Sequence, residues 1–161
     1  MNKQRLAMVV SSVIGAISVF LNFVGLKAVA GGQNVDIQSF WGMKTQYSGL
    51  DYPTAILALI GFLAIAGLSF VGNYQKELPT KFRVGQVVLA VFNLLMAIIT
   101  FAQAASKTGQ STVNGYGLEA NFGLGIWLLV LASVAVLVVP FVIEPRLTSA
   151  SFKETIEEFK Q

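Results

Sequence analysis

Hydrophobic residues in this chain are gathered into four long blocks separated by polar connections. The blocks cover about residues 6–29, 52–71, 84–105 and 122–143. A helix needs about 20 apolar residues to cross the hydrocarbon core of a bilayer, and each block reaches that length. Lys27 is the only charged residue in the blocks, and a lysine near a helix end can extend its ammonium group to the interface. The pattern predicts an all-α membrane protein, a bundle of four transmembrane helices.

The basic residues predict which way the bundle faces. With both termini in the cytoplasm, 8 of the 11 Lys and Arg residues lie inside, three of them in the short connection 72–83. An excess of Lys and Arg in cytoplasmic connections is the usual rule. We therefore expect a multi-pass protein of the plasma (inner) membrane, with residues 1–146 as its transmembrane domain. The first block is longer than the apolar part of a signal peptide, so we interpret it as a retained span.

Two connections are then expected outside the cell. The first, about residues 30–51, is the longer one, and a strand pair, an interfacial helix and irregular packing all remain open for it. Its Phe40 and Trp41 are candidates for packing on the bundle or for contact with a partner. The second, about residues 106–121, is rich in Gly, Ser, Thr and Asn. Asn114-Gly115 is a turn signal for a hairpin, but we slightly prefer a flexible linker. Together the two connections could form a small cap containing strands.

The C-terminal residues 147–161 have the pattern of a short amphipathic helix. Ser151 and Glu154 have the spacing of a capping box. Phe152, Ile156 and Phe159 then share one helical face. The other positions are mostly charged and include three Glu, so docking on a cytoplasmic protein is favoured over binding to anionic lipid. A frayed tail is the alternative.

Small and polar residues within the blocks indicate where helices meet. In lipid, helices associate through close packing of small residues and through interhelical hydrogen bonds. We favour this structural role over a polar binding site, while a neighbouring subunit could also meet the same faces. Four candidates share one face of the first block, and one lies in the third: Ser11, Gly15, Ser18, Asn22 and Asn93.

Composition excludes several kinds of chemistry. The chain has no Cys and no His, so thiolate or imidazole metal sites, disulfides and His-dependent catalysis are excluded. Only 12% of residues are charged, which is too few for the surface of an ordinary soluble protein. The mean hydropathy is +0.69. No paired carboxylates, phosphate loop or nucleophile elbow is present. We expect no catalytic, cofactor or metal residues. The sequence pI of 9.3 follows membrane topology rather than nucleic-acid binding.

The order of these features resembles that of claudin-type four-span proteins. The shared features are four spans, two inner termini and a larger first outer connection containing Trp41-Gly42. That family has a longer first loop with a Trp-containing motif and two cysteines, whereas this chain has no cysteine. The resemblance implies a similar architecture only, and no function is carried over.

The sequence favours a non-catalytic accessory or scaffolding subunit of a membrane assembly. Its expected partners are the lipid bilayer and other membrane subunits, identical or different, which it would contact through helix faces, loops and tail. One alternative is an oligomeric transporter or pore for a neutral or lipid-like solute, with Asn22, Gln86 and Asn93 along the path. A second alternative is a claudin-like adhesion or receptor module that the outer loops present.

Overall fold

Four helices make up most of the described chain. The computed structural model describes residues 2–30, 33–35, 46–73, 75–113, 116–143, 148 and 157. The helices in these ranges are α1 (Lys3–Ser18), α2 (Pro53–Ser69), α3 (Thr80–Ala105) and α4 (Leu124–Val142). A short 3-10 turn, Gly49–Asp51, leads into α2. Pro53 occupies the first turn of α2, where its missing N–H and fixed φ cost nothing.

The helices form a closed ring of contacts. Helix α1 packs against α2 and α4, and α3 packs against the same two helices. The side chains of Gln4, Arg5 and Gln86 lie near the start of their helices and donate hydrogen bonds to the end of a neighbouring helix. Neighbouring helices are therefore antiparallel. The starts of α1 and α3 and the ends of α2 and α4 therefore share one end of the ring, called here the basic end.

A small antiparallel sheet covers the opposite end, called here the sheet end. It contains β1 (Asn22–Ala30), β2 (Gln33–Val35), β3 (Gln46–Ser48), β4 (Gly109–Val113) and β5 (Tyr116–Phe122). The strand order is β2-β1-β5-β4, and β3 also pairs with β1. Strands from the α1–α2 connection thus pair with strands from the α3–α4 connection. A small sheet is therefore present, as in the strand-containing cap that the sequence left open as one possibility.

The first predicted span is wrong over its second half. Helix α1 has 16 residues, a length of about 24 Å, and the chain then turns at Val19–Leu21 and continues as β1. Asn22 and Lys27 consequently lie on a strand, and the register places Lys27 opposite Glu119 of β5. A mostly apolar run does not by its periodicity distinguish a helix from a buried strand. Pairing with β5 over the length of β1 selects the strand.

The second connection forms a hairpin, so the preferred interpretation as a flexible linker is wrong. Strands β4 and β5 pair antiparallel, with Val113 opposite Tyr116. Two residues separate these partners, the usual loop length of a tight β-hairpin. The turn residues 114–115 themselves lie outside the described chain.

The other three apolar blocks are helices whose bounds differ from those predicted by only a few residues. Within the described chain, α3 and α4 are long and apolar enough to cross a membrane by length and composition. Helix α2 is apolar but has 17 residues, which is shorter than the 18 residues required here of a candidate span. The predicted tail helix, with Phe152, Ile156 and Phe159, lies outside the described residues, as do Phe40 and Trp41.

Candidate functional site

The outer surfaces of the helices are strongly apolar. Every helix exposes large hydrophobic side chains along the side that faces away from the ring. In the most apolar 18-residue window of α3 and in that of α4, only 39% of the residues are buried. A core helix of a soluble protein would be mostly buried. Representative exposed residues are Val10, Ile14 and Ile17 of α1, Ile56, Ile60 and Leu63 of α2, Val88, Leu95 and Ile98 of α3, and Leu131, Val134 and Val138 of α4.

The interior of the ring contains small and polar residues beside a few large apolar ones. Phe62, Met8, Ile65 and Leu129 are almost completely buried and fill the space between helices. The described helices also bury ten polar or charged side chains. These are Gln4, Arg5, Ser12, Ser18, Ser69, Arg83, Gln86, Asn93, Thr100 and Ser133.

At the basic end, the first turn of α1 binds the C-terminal ends of its two neighbours. Arg5 Nη1 donates hydrogen bonds to Ser69 O at 3.3 Å and to Val71 O at 2.9 Å, at the end of α2. Gln4 Nε2 donates to Pro140 O at 3.4 Å and to Ile143 O at 3.3 Å, at the end of α4. The last carbonyls of a helix lack intrahelical partners and carry partial negative charge. The two side chains therefore cap both helices.

Polar residues of α2 and α3 meet in two pairs that lie two heptads apart on α3. Gln86 Nε2 donates to Ser69 Oγ at 2.8 Å near the basic end. Near the sheet end, the hydroxyl oxygens of Thr54 and Thr100 lie 2.7 Å apart. Because Gln86, Asn93 and Thr100 are spaced by seven residues, they lie on the same face of α3. We call this series the polar ladder of α2 and α3.

The middle rung of the polar ladder is unpaired. Asn93 has no exposed surface, and neither its Oδ1 nor its Nδ2 has a hydrogen-bond partner in the described residues. The residue opposite is Gly61, and a Cβ there would overlap Asn93 Oδ1. Only glycine leaves room for the amide at this level. The sequence singled out Asn93 as a residue that needs a protein partner, and the structure places it against a backbone with no side chain.

Two of the three candidate residues on α1, Gly15 and Ser18, are buried against other helices of the same chain. Gly15 packs on the Phe62 ring of α2, with no space for a Cβ. Ser18 is buried, and its Oγ donates to Gly15 O at 2.6 Å. Ser11 is only half-buried, and Ser12, which sequence reasoning missed, is the buried serine of this turn.

Asn22 is separated from that face because it begins β1. Its side chain is exposed, and Nδ2 donates to Gln46 Oε1 of β3 at 2.9 Å. Its backbone carbonyl leaves no room for a Cβ at Gly123, and Gly123 N donates to Phe23 O at 2.8 Å. The segment that links α1 to the sheet is thus held by the strand before α2 and by the residue that caps α4.

A cation lies between aromatic rings at the sheet end. Lys107 Nζ is 4.8 Å from the centre of the Tyr47 ring and 4.6 Å from that of Tyr52. Burial raises the pKa of the Tyr52 phenol, and the nearby Asp51 and Tyr47 raise it further. Cation–π contact is stronger where water is partly excluded. Sequence reasoning missed this contact, because nothing in the chain links Lys107 to the two tyrosines before the sheet forms.

Between α1 and α2 lies an open apolar groove with a volume of about 320 Å³. We call it the α1–α2 groove. Its lining is hydrophobic apart from Ser12, whose side chain is 1% exposed. The lining residues are Ser12, Val13, Ala16, Ile17 and Phe20 from α1 with its following turn, and Leu59, Phe62, Leu63 and Ala66 from α2.

Among the described residues, no group of three or more His, Cys, Asp or Glu side chains is placed to hold a metal ion. Comparison of the chain with protein families, with characterised proteins and with solved structures finds no match. The proposed function is therefore based on the outer surfaces of the helices and the interior of the ring.

Proposed function

We propose that the chain crosses the membrane four times, with both termini in the cytoplasm. The observation that carries this is the outward-facing apolar surface of all four helices, including the shorter α1 and α2. Large apolar side chains facing outward, with most of the buried polar side chains hydrogen-bonded inside, suit a hydrocarbon solvent. The short α2–α3 connection, the start of α1 and the end of α4 lie at the basic end, which suits the cytoplasmic side. A bilayer that thins locally accommodates short helices at modest cost.

Within the membrane, we propose that the protein is a non-catalytic accessory or scaffolding subunit. The polar groups of the interior are used mainly for packing, because Arg5, Gln4 and Gln86 are bound to other helices. Large side chains such as Phe62 and Leu129 fill the centre of the ring. These features favour a rigid body that works through its surfaces over a path for a solute. The surfaces available to other subunits are the outer helix faces, the sheet and the predicted tail helix.

Purification in a mild detergent tests the accessory role. The full chain is expected to co-isolate another membrane protein in a fixed ratio, and removal of residues 147–161 is expected to reduce that ratio if the tail docks. Substitution of the exposed Lys3 by Ala provides a control that leaves the tail intact. A chain that runs only as a monomer, with no partner found by crosslinking in the membrane, contradicts the proposal.

An adhesion or receptor module is the second candidate, and the joint sheet favours it. Two connections that pair through β1 and β5 form one surface on the proposed outer side. Deletion of residues 108–114 removes β4 but retains the partners of the β1–β5 pairing. Under this candidate the deletion abolishes cell contact or ligand binding. Unchanged contact, with the protein still at the cell surface, removes the candidate.

A further inference from the structure

We propose that the protein fits a hydrocarbon core only about 25 Å thick and therefore binds phospholipids with short acyl chains in preference to long ones. The inference rests on the four spans proposed above and adds the kind of bilayer that they fit. An average bilayer has a hydrocarbon core of about 30 Å. The difference predicts a measurable preference among lipids that differ only in the length of their acyl chains.

Polar side chains mark one limit of the apolar surface, near the basic end. Arg5 donates to Ser69 O, and Gln86 donates to Ser69 Oγ. Gln4, next to Arg5, donates to Pro140 O. These contacts bring the four helices together at one level, called here the basic-end polar level. The described lysines of the basic end lie farther from the sheet than this level.

The sheet marks the other limit of the apolar surface. Strand β1 begins at Asn22, and β3 and β5 end at Ser48 and Phe122. An open sheet does not occur within hydrocarbon, because no water is present there to bind its edge backbone groups. On α3, the exposed Gln103 accepts a hydrogen bond from Thr54 Oγ1 at 3.1 Å. We call this limit the sheet-end polar level.

All four helices connect the two polar levels in the same number of residues. At a rise of 1.5 Å per residue, the separation of the levels is about 25 Å. A tilted helix covers less of the membrane thickness, so this value is an upper limit. The residues that mark the levels are Arg5 and Asn22, Tyr52 and Ser69, Gln86 and Gln103, and Gly123 and Pro140, 17 positions apart in each case.

The surface between the levels forms an apolar band around the whole ring. Every exposed side chain between the levels is apolar on each of the four helices. A single partner helix would cover one or two faces of the ring, whereas the acyl chains of a bilayer cover all of them. The band therefore fits acyl chains, and its height selects their length.

A thicker bilayer would place hydrocarbon over polar groups at both levels. Lys3 and Asn22 are exposed just beyond the two ends of the α1 band, and polar groups lose their hydrogen bonds to water in hydrocarbon. A bilayer of long-chain lipid must thin around the protein to avoid this, at a cost that increases with the mismatch. Lipids with short chains contact the band without that cost.

The fluorescence of Trp127 reports which lipids contact the ring. Trp127 is 49% exposed on α4 and lies beside Phe101 and Phe122, with ring centres 5.7 and 6.0 Å away. The chain has two Trp residues, so Trp41→Phe leaves Trp127 as the single indole fluorophore. The purified full chain is reconstituted in brominated dioleoyl phosphatidylcholine, which quenches Trp127, mixed with unbrominated dimyristoleoyl, dioleoyl or dierucoyl phosphatidylcholine.

The shortest lipid is expected to relieve the quenching most effectively. We expect dimyristoleoyl phosphatidylcholine to compete at least about twofold better than the long-chain dierucoyl lipid. Equal competition by all three lipids, or the strongest competition by the longest, would overturn the proposal. If Trp41→Phe does not fold, thermal unfolding of the unsubstituted chain in each lipid repeats the test, with the highest melting temperature expected in the shortest.

Cysteine reactivity in dioleoyl phosphatidylcholine vesicles locates the two levels on α1. The chain has no native Cys, and Lys3, Leu6, Phe20 and Asn22 are all exposed. Maleimide reacts with the thiolate, which forms in water, so Leu6→Cys and Phe20→Cys should react at least about tenfold more slowly than Lys3→Cys and Asn22→Cys. Protection of all four positions would overturn the thin band and leave the four spans standing. Rapid reaction at all four positions contradicts the membrane embedding itself.

Discussion

Helix α2 faces two neighbours in very different ways. Toward α3 it presents the polar ladder, with the paired rungs Ser69–Gln86 and Thr54–Thr100 and a close approach at Gly61. Toward α1 it leaves an open apolar groove, and the contact is secured by Gly15 against Phe62 and by Arg5 at the basic end. The contact of α2 with α3 is thus specified by hydrogen bonds. Its contact with α1 is specified by shape, and Arg5 provides the polar part of that contact. The difference separates a face of α2 that is closed by contacts with α3 from a face that stays open beside α1.

The largest effect on stability is expected from loss of the hydrogen bonds that Arg5 donates to the end of α2. Arg5→Ala removes two hydrogen bonds from a buried guanidinium to the end of α2, and hydrogen bonds to charged groups contribute about 1.5–3 kcal/mol. We expect the free energy of unfolding in detergent to fall by about 2–3 kcal/mol. The exposed Lys3→Ala, two residues earlier, should leave it unchanged. An Arg5→Ala variant as stable as Lys3→Ala would show that the packing of α1 on α2 does not depend on these hydrogen bonds.

A pair of glycines on α2 tests the tight side. Gly61→Ala places a Cβ on Asn93 Oδ1 in a closed interior, and overpacking of this kind costs about 1–3 kcal/mol. Gly67→Ala meets open space and should gain up to about 1 kcal/mol from the higher helix propensity of alanine. Thermal unfolding followed by circular dichroism compares the two. Adding Asn93→Ala should restore much of the loss from Gly61→Ala, and purely additive effects would contradict the contact.

Two substitutions on α3 compare a paired rung with the unpaired one. Gln86→Leu loses the bond to Ser69 and should cost about 1 kcal/mol. Asn93→Leu keeps the branched shape and removes a buried amide without a partner, whose burial costs about 1–3 kcal/mol. We therefore expect Asn93→Leu to raise the melting temperature while Gln86→Leu lowers it. A loss of stability in Asn93→Leu equal to that of Gln86→Leu would show that the amide is bonded.

The smallest effect on stability is expected at the Thr54–Thr100 pair of the polar ladder. Thr54→Val preserves the shape of the side chain but removes the hydroxyl next to Thr100. Interhelical hydrogen bonds in membranes contribute about 0.6 kcal/mol on average. Thr100 keeps its bond to Met96 O at 2.7 Å, so no buried hydroxyl is left unpaired. Unfolding in denaturing detergent should show a loss near this value, and a loss as large as that of Arg5→Ala would refute the ranking.

Much of the helical part could be predicted from hydrophobic pattern alone. Blocks 52–71, 84–105 and 122–143 contain no charge, and Pro53 marks a helix start, so their type and bounds follow from local chemistry. The first block failed because its end at Ser18 depends on β5, about one hundred residues away in sequence. Asn22, Gly25 and Lys27 interrupted the apolar run and were the available signals for a strand.

The candidate site was only partly predictable for the same reason. Gly15, Ser18 and Asn93 stood out in the sequence because small and amide side chains in apolar helices need protein neighbours. All three are buried, but Asn93 lacks a hydrogen-bond partner among the described residues. The capping by Gln4 and Arg5 could not be predicted, since it depends on which helix ends come together. The groove also depends on the distance between α1 and α2, which no sequence pattern states.

The central claim is that four helices cross the bilayer with the basic end inside, and cysteine accessibility tests it most directly. Lys27 is an exposed residue of β1, and Lys76 is an exposed residue of the α2–α3 connection, so each can be replaced by Cys in this otherwise cysteine-free chain. A membrane-impermeant maleimide applied to intact cells is expected to label Lys27→Cys at once and Lys76→Cys only after permeabilisation. Labelling of Lys76→Cys from outside, or recovery of the protein from the soluble fraction without detergent, would contradict the account.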